Sequence, residues 1–342
     1  MRHALLVIVS VLFSSQMALA QFTQQAKLVG TGAAGAARQG SSVALSSDGN
    51  TAIVGGPFDN RFAGAAWVFN RSGSVWTQQS KLVGTGAVGA AGQAGSVALS
   101  SGGNTAIVGG LYDNSLAGAA WVYTRSGGVW TQQSKLVGTG AIGAANQGTS
   151  VALSSDGNTA IVGGPADNSL AGAAWVYTRS GGVWTQQSKL VGTDAVGAAR
   201  QGSSVALSSD GNTAIVGGPF DNSRAGAAWV YTRSGGVWTQ QSKLVGTGAV
   251  GAASQGTSVA LSSDGNTAIV GRPSDNSFTG AAWVYTRSGG VWTQQTKLVG
   301  TGAVGAADQG DSVALSSDGN TAIVGGSADN SHAGAAWVFV KE

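Results

Sequence analysis

The sequence predicts an all-β chain folded as a six-bladed β-propeller, with four antiparallel strands per blade. Three observations carry that prediction. A 54-residue unit recurs six times without insertion or deletion. Each unit holds four short strand-like runs separated by turn signals. No window has helical spacing of apolar residues. Four strands in a repeat of about 40 to 55 residues is the sequence form of a propeller blade. A parallel β-helix is the competing all-β fold, but its coils are shorter and lack paired hairpin turns.

The period is visible in single residues. Thr-Gln-Gln begins at Thr23, Thr77, Thr131, Thr185, Thr239 and Thr293. All 11 Trp fall on two positions of the unit. One holds Trp67, Trp121, Trp175, Trp229, Trp283 and Trp337; the other holds Trp76, Trp130, Trp184, Trp238 and Trp292.

In the second unit the predicted strands are 96–100, 105–109, 119–124 and 129–137. The first turn is Asp-Gly in five units and Gly102-Gly103 in the second. Such pairs suit a two-residue hairpin whose central residues both take positive φ. Arg-Ser-Gly-Gly marks a hairpin between the third and fourth strands. The inner strands lack polar alternation, as expected where both sheet faces pack on neighbours. Gly and Ala leave room for the Trp and Tyr of the adjacent sheet. The fourth run interleaves Thr, Gln and Lys and suits an exposed outer edge.

The two ends of the repeat array are out of phase. Gln21 to Val29 is a lone fourth strand, with Phe22 at the Trp76 position, and Ala335 to Val340 is a third strand with no fourth after it. The N-terminal strand is therefore expected to complete the last blade and close the ring, leaving no blade short of a strand.

Residues 1–20 form a separate region. Met1-Arg2-His3 is followed by an apolar run to Phe13 and the small-x-small Ala18-Leu19-Ala20. That is the form of a secretory signal cleaved after Ala20, and the run is too short to span a bilayer. The propeller then occupies 21–342. Without Arg2 the chain has 17 Lys+Arg against 15 Asp+Glu, a net of +2, too weak and dispersed for nucleic acid. The expectation is an exported, soluble, monomeric protein with no membrane span after cleavage.

Composition limits the chemistry. There is no Cys, the two His are His3 and His332, and Glu342 is the only Glu. A disulfide framework and thiolate chemistry are excluded. Acid–base catalysis would rest almost wholly on Asp. With 57 Gly at no period of three and 4 Pro, collagen is excluded. With 42% hydrophobic residues, so is disorder.

The segments Gln39-Gly40-Ser41-Ser42-Val43-Ala44-Leu45, Ala52-Ile53-Val54-Gly55-Gly56-Pro57 and Gly64-Ala65-Ala66-Trp67-Val68-Phe69 resemble the FG-GAP repeat. That repeat builds the integrin α-chain propeller and many secreted bacterial proteins, and the resemblance extends over all six units. Two features depart from it. The Phe-Gly pair reads Gln39-Gly40, and the Gly-Ala-Pro reads Gly-Gly-Pro, decaying to Gly110-Leu111, Arg272-Pro273 and Gly326-Ser327. The resemblance implies an extracellular propeller. Integrin-type rings have seven blades, against six units here. Some members hold Ca²⁺ in the first hairpin, but Ser47-Asp48-Gly49-Asn50 offers one carboxylate where several oxygen ligands are needed. No calcium site, other metal or cofactor is carried over.

Asp59, Asp113, Asp167, Asp221, Asp275 and Asp329, each followed by Asn, could form a cation-binding ring or fold their own loops by bonding local N–H groups. The second reading is preferred, because one Asp per blade makes no close cluster. Lys27, Lys81, Lys135, Lys189, Lys243 and Lys297 read as solubilising charges on the outer strand. His332 reads as a surface residue, and the Ser46-Ser47 type of run has no paired base. No catalytic residue is assigned.

The copies differ in particular places. Variation collects before the first strand, at Arg38, Gly92, Asn146, Arg200, Ser254 and Asp308. It collects again between the second and third, at Phe58, Tyr112, Ala166, Phe220, Ser274 and Ala328, then Phe62, Leu116, Leu170, Arg224, Phe278 and His332. In a four-stranded blade both connections emerge on one face of the disc, and the near-constant hairpins on the other. The candidate ligand-binding residues are Arg38, Phe58, Phe62, Tyr112, Leu116, Arg200, Phe220, Arg224, Phe278 and His332. The expected role is non-enzymatic binding or adhesion to an extracellular protein or glycan. A structural or assembly role is the alternative, and a propeller enzyme comes third.

Overall fold

The computed structural model describes residues 24–252 and 254–342. The signal-sequence reading at 1–20, with Gln21, Phe22 and Thr23, lies outside the described residues. Blade 1 is β1 (Ser42–Leu45), β2 (Thr51–Gly56), β3 (Ala65–Ser72) and β4 (Val75–Leu82). Blade 2 is β5 (Ser96–Leu99), β6 (Thr105–Gly110), β7 (Ala119–Ser126) and β8 (Val129–Leu136). Blades 3 to 5 repeat the plan as β9–β12 (150–190), β13–β16 (204–244) and β17–β20 (258–298). Blade 6 has β21 (Ser312–Leu315), β22 (Thr321–Gly326) and β23 (Ala335–Val340). Every neighbouring pair is antiparallel and in sequence order. The six-bladed propeller is thus the architecture.

The strands form where β-branched and aromatic residues cluster, and both faces are used. In β6 all six residues are buried. Val108, Trp121 and Tyr123 turn toward blade 1 and pack with Ile53, Ala66, Val68 and Leu82. Ile107, Ala120 and Val122 turn the other way, into blade 3. The indole N–H of Trp121 donates to Thr85 O at 2.8 Å. A Cβ on Gly84 would collide with that indole, and one on Gly110 would stand 2.7 Å from its Cζ3. Gly110 therefore makes room for the Trp of its own blade, and Gly84, on the linker leaving blade 1, for the Trp of the next.

The turns divide differently from the sequence expectation. In the first hairpin Gly49 has φ 67°, but Asp48 is not at positive φ. The Gly49 N–H donates to Ser46 O, closing a tight turn that ends in a left-handed Gly. The Asp48 carboxylate takes the Ser46 hydroxyl and the Asn50 N–H, and these bonds, the hydroxyl first, hold its pKa down to about 2. Two consecutive positive φ values occur instead in the other hairpin, at Gly127 and Gly128.

Near the axis the blades are linked by backbone bonds. Ser47 N–H donates to Ser101 O at 3.0 Å, and the pattern continues through Ser155, Ser209 and Ser263 to Ser317. The six Leu at Leu45, Leu99, Leu153, Leu207, Leu261 and Leu315 line a central hollow of ≈ 170 Å³.

The seam between blades 6 and 1 differs from the other five. The sixth sheet has three strands, and no ladder joins residues 24–30 to β23 among the described residues. Residues 24–30 keep the contacts that each fourth strand and its linker make to the next blade: Trp76 Nε1–H donates to Gln25 Oε1 at 2.9 Å, as Trp130 does to Gln79, and Gly30 N–H to Gln39 Oε1 at 2.6 Å, as Gly84 does to Gln93. Residues 21–23, the rest of the expected closing strand, are not described. On blade 6 Ile323 is 42% and Val338 63% exposed, whereas Ile107 and Val122 at the same positions are fully buried. An apolar cavity of ≈ 250 Å³, lined by Val284, Leu298, Leu315, Ala322 and Phe339, lies between blades 5 and 6. The matching site between blades 1 and 2 holds Trp130, and the repeat equivalent of Trp130 for blade 6 is Phe22.

Two predictions follow from this packing. The Val68–Ser80 pairing in blade 1 maps onto Val338 and Ala26. In a chain without native Cys, Ala26→Cys with Val338→Cys should form an intramolecular disulfide under mild oxidation, and deleting 21–30 should lower Tm and promote association. Full thermal stability and a monomeric state after deletion would refute closure by this strand. Separately, the buried hydroxyls of Tyr123, Tyr177, Tyr231 and Tyr285 have no hydrogen-bond partner, while Phe69 and Phe339 occupy the same position without one. Burial raises the pKa of these Tyr. Tyr177→Phe should leave stability unchanged or raise it by about 1 kcal/mol, measured by urea unfolding.

Candidate functional site

The connection between the second and third strands of each blade contains a four-residue turn. In Asp59–Phe62 the residues Asn60, Arg61 and Phe62 have φ 45°, 54° and 68°. The turn is therefore left-handed, a conformation that costs about 1 kcal/mol for each non-Gly residue. Buried Asp59 holds it in place. Its Oδ1 accepts the Ala34 N–H at 2.7 Å, and its Oδ2 meets Lys81 Nζ at 2.7 Å. Lys81 also donates to Gly32 O at 2.6 Å and lies 5.2 Å from the Trp67 ring centroid.

The same staple recurs with Lys135–Asp113, Lys189–Asp167, Lys243–Asp221 and Lys297–Asp275. The Asp residues are structural, but not through the local N–H bonds expected: each carboxylate takes a backbone N–H 25 residues earlier, and five also take an outer-strand Lys. The Lys residues of these five blades correct the expectation of free edge charges: each reaches off the outer strand to a buried carboxylate. Asp329 bonds the Val304 N–H at 2.7 Å, and its repeat partner by position is Lys27, within residues 24–30.

The structure brings the two variable connections together. The N–H of Gly92 donates to Phe62 O at 2.7 Å, across the blade boundary. Asn146 to Leu116, Arg200 to Leu170, Ser254 to Arg224 and Asp308 to Phe278 repeat that bond. Parallel bridges such as Gly64–Gln93 lie beside them. Within a blade the residue before the first strand covers the first loop position: the Arg38 guanidinium carbon is 4.0 Å from the Phe58 centroid. The variable positions therefore form a nearly continuous ring on one face.

Its chemistry differs from blade to blade. In blade 1 Phe58 and Phe62 have centroids 4.6 Å apart at 53°, and they border a concavity of ≈ 500 Å³ with Arg38, Asn60 and Arg61. Sequence comparison passed over Arg61; the signal was its replacement of a Ser found in the other five copies. In blade 4 Arg200 and Arg224 both stack on Phe220, at 4.1 and 4.9 Å. Tyr112, Leu116 and Phe278 are exposed apolar side chains of blades 2 and 5. His332 lies near Asp308, whose pKa is raised by burial and by Asp311 and drawn back by His332. Arg272, which replaces a Gly, is not on the ring: it is buried, 3.1 Å from Asp275 Oδ1.

The opposite face is occupied by bonds between blades. Arg125 donates to Asn70 and Gln79 of blade 1, and Trp130 Nε1–H donates to Gln79 at 2.8 Å. Arg179, Arg233 and Arg287 repeat the Gln contact. Near-constancy of these hairpins follows from that use.

Asp113 is buried but Lys135 is partly exposed, so removing the carboxylate chiefly orphans the Val88 N–H. Asp113→Ala should therefore destabilise the protein by about 2 kcal/mol, read by chemical denaturation, with the first loss of amide protection at Val88 and Gly118. An unchanged midpoint would show that the staple does not hold the loop.

An FG-GAP repeat family model matches residues 22–69 and 184–231, so the chain carries FG-GAP repeats, and the 54-residue period takes the same motif through the remaining units. No curated protein matches the sequence. Among solved structures, a periplasmic gluconolactonase of Pseudomonas aeruginosa superposes with a TM-score of 0.60 at 17% identity, over 89% of this chain and 81% of that one. A functionally unknown protein from Desulfotomaculum acetoxidans gives 0.57 at 15%, over 87% and 81%. At these identities the likeness is one of fold. No helix among the described residues is long and apolar enough to cross a membrane.

Proposed function

We propose that the protein is an exported, non-enzymatic binding or adhesion module that recognises an extracellular protein or glycan through its variable loop face. One observation carries this reading: side chains that differ between copies meet in a ring on one face, while the constant side chains of the other face are occupied in blade-to-blade bonds. A rigid backbone with interchangeable side chains is suited to recognition, because few degrees of freedom are lost on binding. The apolar run and Ala18-Leu19-Ala20 at the N-terminus, together with the FG-GAP repeats, support export.

The test is a glycan and protein array probed with the chain from Gln21. Phe58→Ala and Phe220→Ala should weaken any binding found, and both introduce a residue already present at the same position as Ala166. Ser74→Ala, on the opposite hairpins, should not. Equal effects from both faces would overturn the reading. The uncovered apolar faces at Ile323 and Val338 favour a second reading, an assembly scaffold. Light scattering separates the two, since a scaffold would self-associate or co-purify with partners whereas a binding module stays monomeric.

A further inference from the structure

The geometry points to an acidic glycan as the ligand, held by its carboxylate or sulfate groups at two arginine–phenylalanine clusters on opposite sides of the ring. This inference rests on the loop-face reading above and adds the ligand's chemistry.

The positive side chains of the repeat are almost all occupied. Five Lys pair with buried Asp. Arg71, Arg125, Arg179, Arg233 and Arg287 donate to Asn, Gln or Thr side chains. Arg272 is paired with Asp275. Among the described residues the remaining arginines are Arg38, Arg61, Arg200 and Arg224, and the hydrogen bonds and ion pairs described include none from their side chains. All four lie on the loop face, two in blade 1 and two in blade 4. Blades 1 and 4 are three steps apart in a ring of six, so the pairs face each other across the axis.

Three of the four lie on an aromatic ring, and Arg61 borders the same concavity as Arg38 and Phe58. Arg38 lies on Phe58, and Arg200 and Arg224 lie on Phe220. A guanidinium that lies against a ring face without a hydrogen-bond acceptor of its own can offer its N–H edge to an oxyanion through two hydrogen bonds. No carboxylate competes within either cluster, because Asp59 and Asp221 are buried against Lys81 and Lys243. Other acids of this face are Asp308 and Asp311 in blade 6, with Asp194 on the linker into blade 4. The half-exposed Phe62 ring beside the blade 1 concavity offers an apolar surface for the C–H face of a sugar. A polymer with repeated anionic groups can reach both clusters, and two weak contacts on one chain then act as one stronger contact.

The other blades supply substitutions that the backbone already accepts. Arg38→Asn and Arg200→Asn copy Asn146, Arg61→Ser copies Ser115, and Arg224→Leu copies Leu116. The chain from Gln21 would be titrated with polygalacturonate, chondroitin sulfate, uncharged dextran and duplex DNA at about 0.15 M salt, where exposed charges more than about 8 Å apart are screened. The expected result is binding of at least one acidic glycan, no binding of dextran, and weaker binding of DNA. Either double variant (Arg38→Asn with Arg61→Ser, or Arg200→Asn with Arg224→Leu) should lower polymer affinity about tenfold or more, with Tm unchanged. Failure to bind any acidic glycan, or DNA binding of equal strength, overturns the inference. Loop-face binding of a neutral glycan or a protein that ignores the Arg variants also overturns it, while leaving the loop-face reading intact. Acidic-glycan binding lost equally on Ser74→Ala overturns both.

Discussion

Each blade has two apolar faces, and another blade is what buries them. Ile107 and Val122 have no exposure because blade 3 stands against them; Ile323 and Val338, at the same positions, are open where no such neighbour is packed. Stability in such an array is a sum over nearest-neighbour contacts, with no single core to carry the whole. The number of buried interfaces then depends on whether the ring joins. With six blades an open chain buries five interfaces and a closed one six. The blade 6 edge and the segment around Lys27 carry the same residue types that pair in the other blades, which is why the N-terminal strand is the natural complement of that edge.

Interior packing also governs how charge is placed. The sheet faces exclude charge, so most of the 10% of residues that are charged fall at the rims, buried Arg272 being an exception. There the repeat uses most of them for construction. Lys81 crosses from the outer strand to Asp59 and secures a left-handed turn that is unfavourable on its own. Arg125 ties its blade to the one before it. A residue type repeated six times in one environment has one structural job repeated six times. Departures from the repeat are therefore the places to look for anything else.

Much of the fold is legible from the period alone. Trp67, Trp121 and their equivalents mark the third strand, and the blade count follows from the 54-residue step. The hairpin at Asp48 was less legible. Asp-Gly supports a turn with two positive φ values or one with a single left-handed Gly, and the choice depends on the Ser46 and Asn50 contacts, which involve residues outside the pair. The role of the lysines is hidden in the sequence for a related reason. An outer-strand Lys is solvated in most sheets, and nothing local to Thr-Gln-Gln-Ser-Lys shows that Asp59, 22 positions earlier, lies under its ammonium group. The two variable segments were placed on one face by topology. Their contact through Gly92 and Phe62 needed the blade-to-blade geometry.

The backbone of the loop face is more constant than its side chains, and that asymmetry bears on what the face can do. Position 38 and its equivalents all take positive φ, between 52° and 60°, whether the residue is Arg, Gly, Asn, Ser or Asp. Gly or Asn would suit that conformation best. Arg38 and Arg200 bear its cost, and each recovers a stacking contact with Phe58 or Phe220. Stacking offsets part of the backbone cost, but it does not explain why the guanidinium edge should remain unpaired in a chain that pairs nearly every other cation. Nor does loop drift by itself set Arg beside Phe in blades 1 and 4 and put a second Arg in each. Solubility could be met by lysine on any rim. A planar donor lying against an aromatic ring is better matched to a planar or tetrahedral oxyanion than to water, and it is on that match that a recognition role for this face rests.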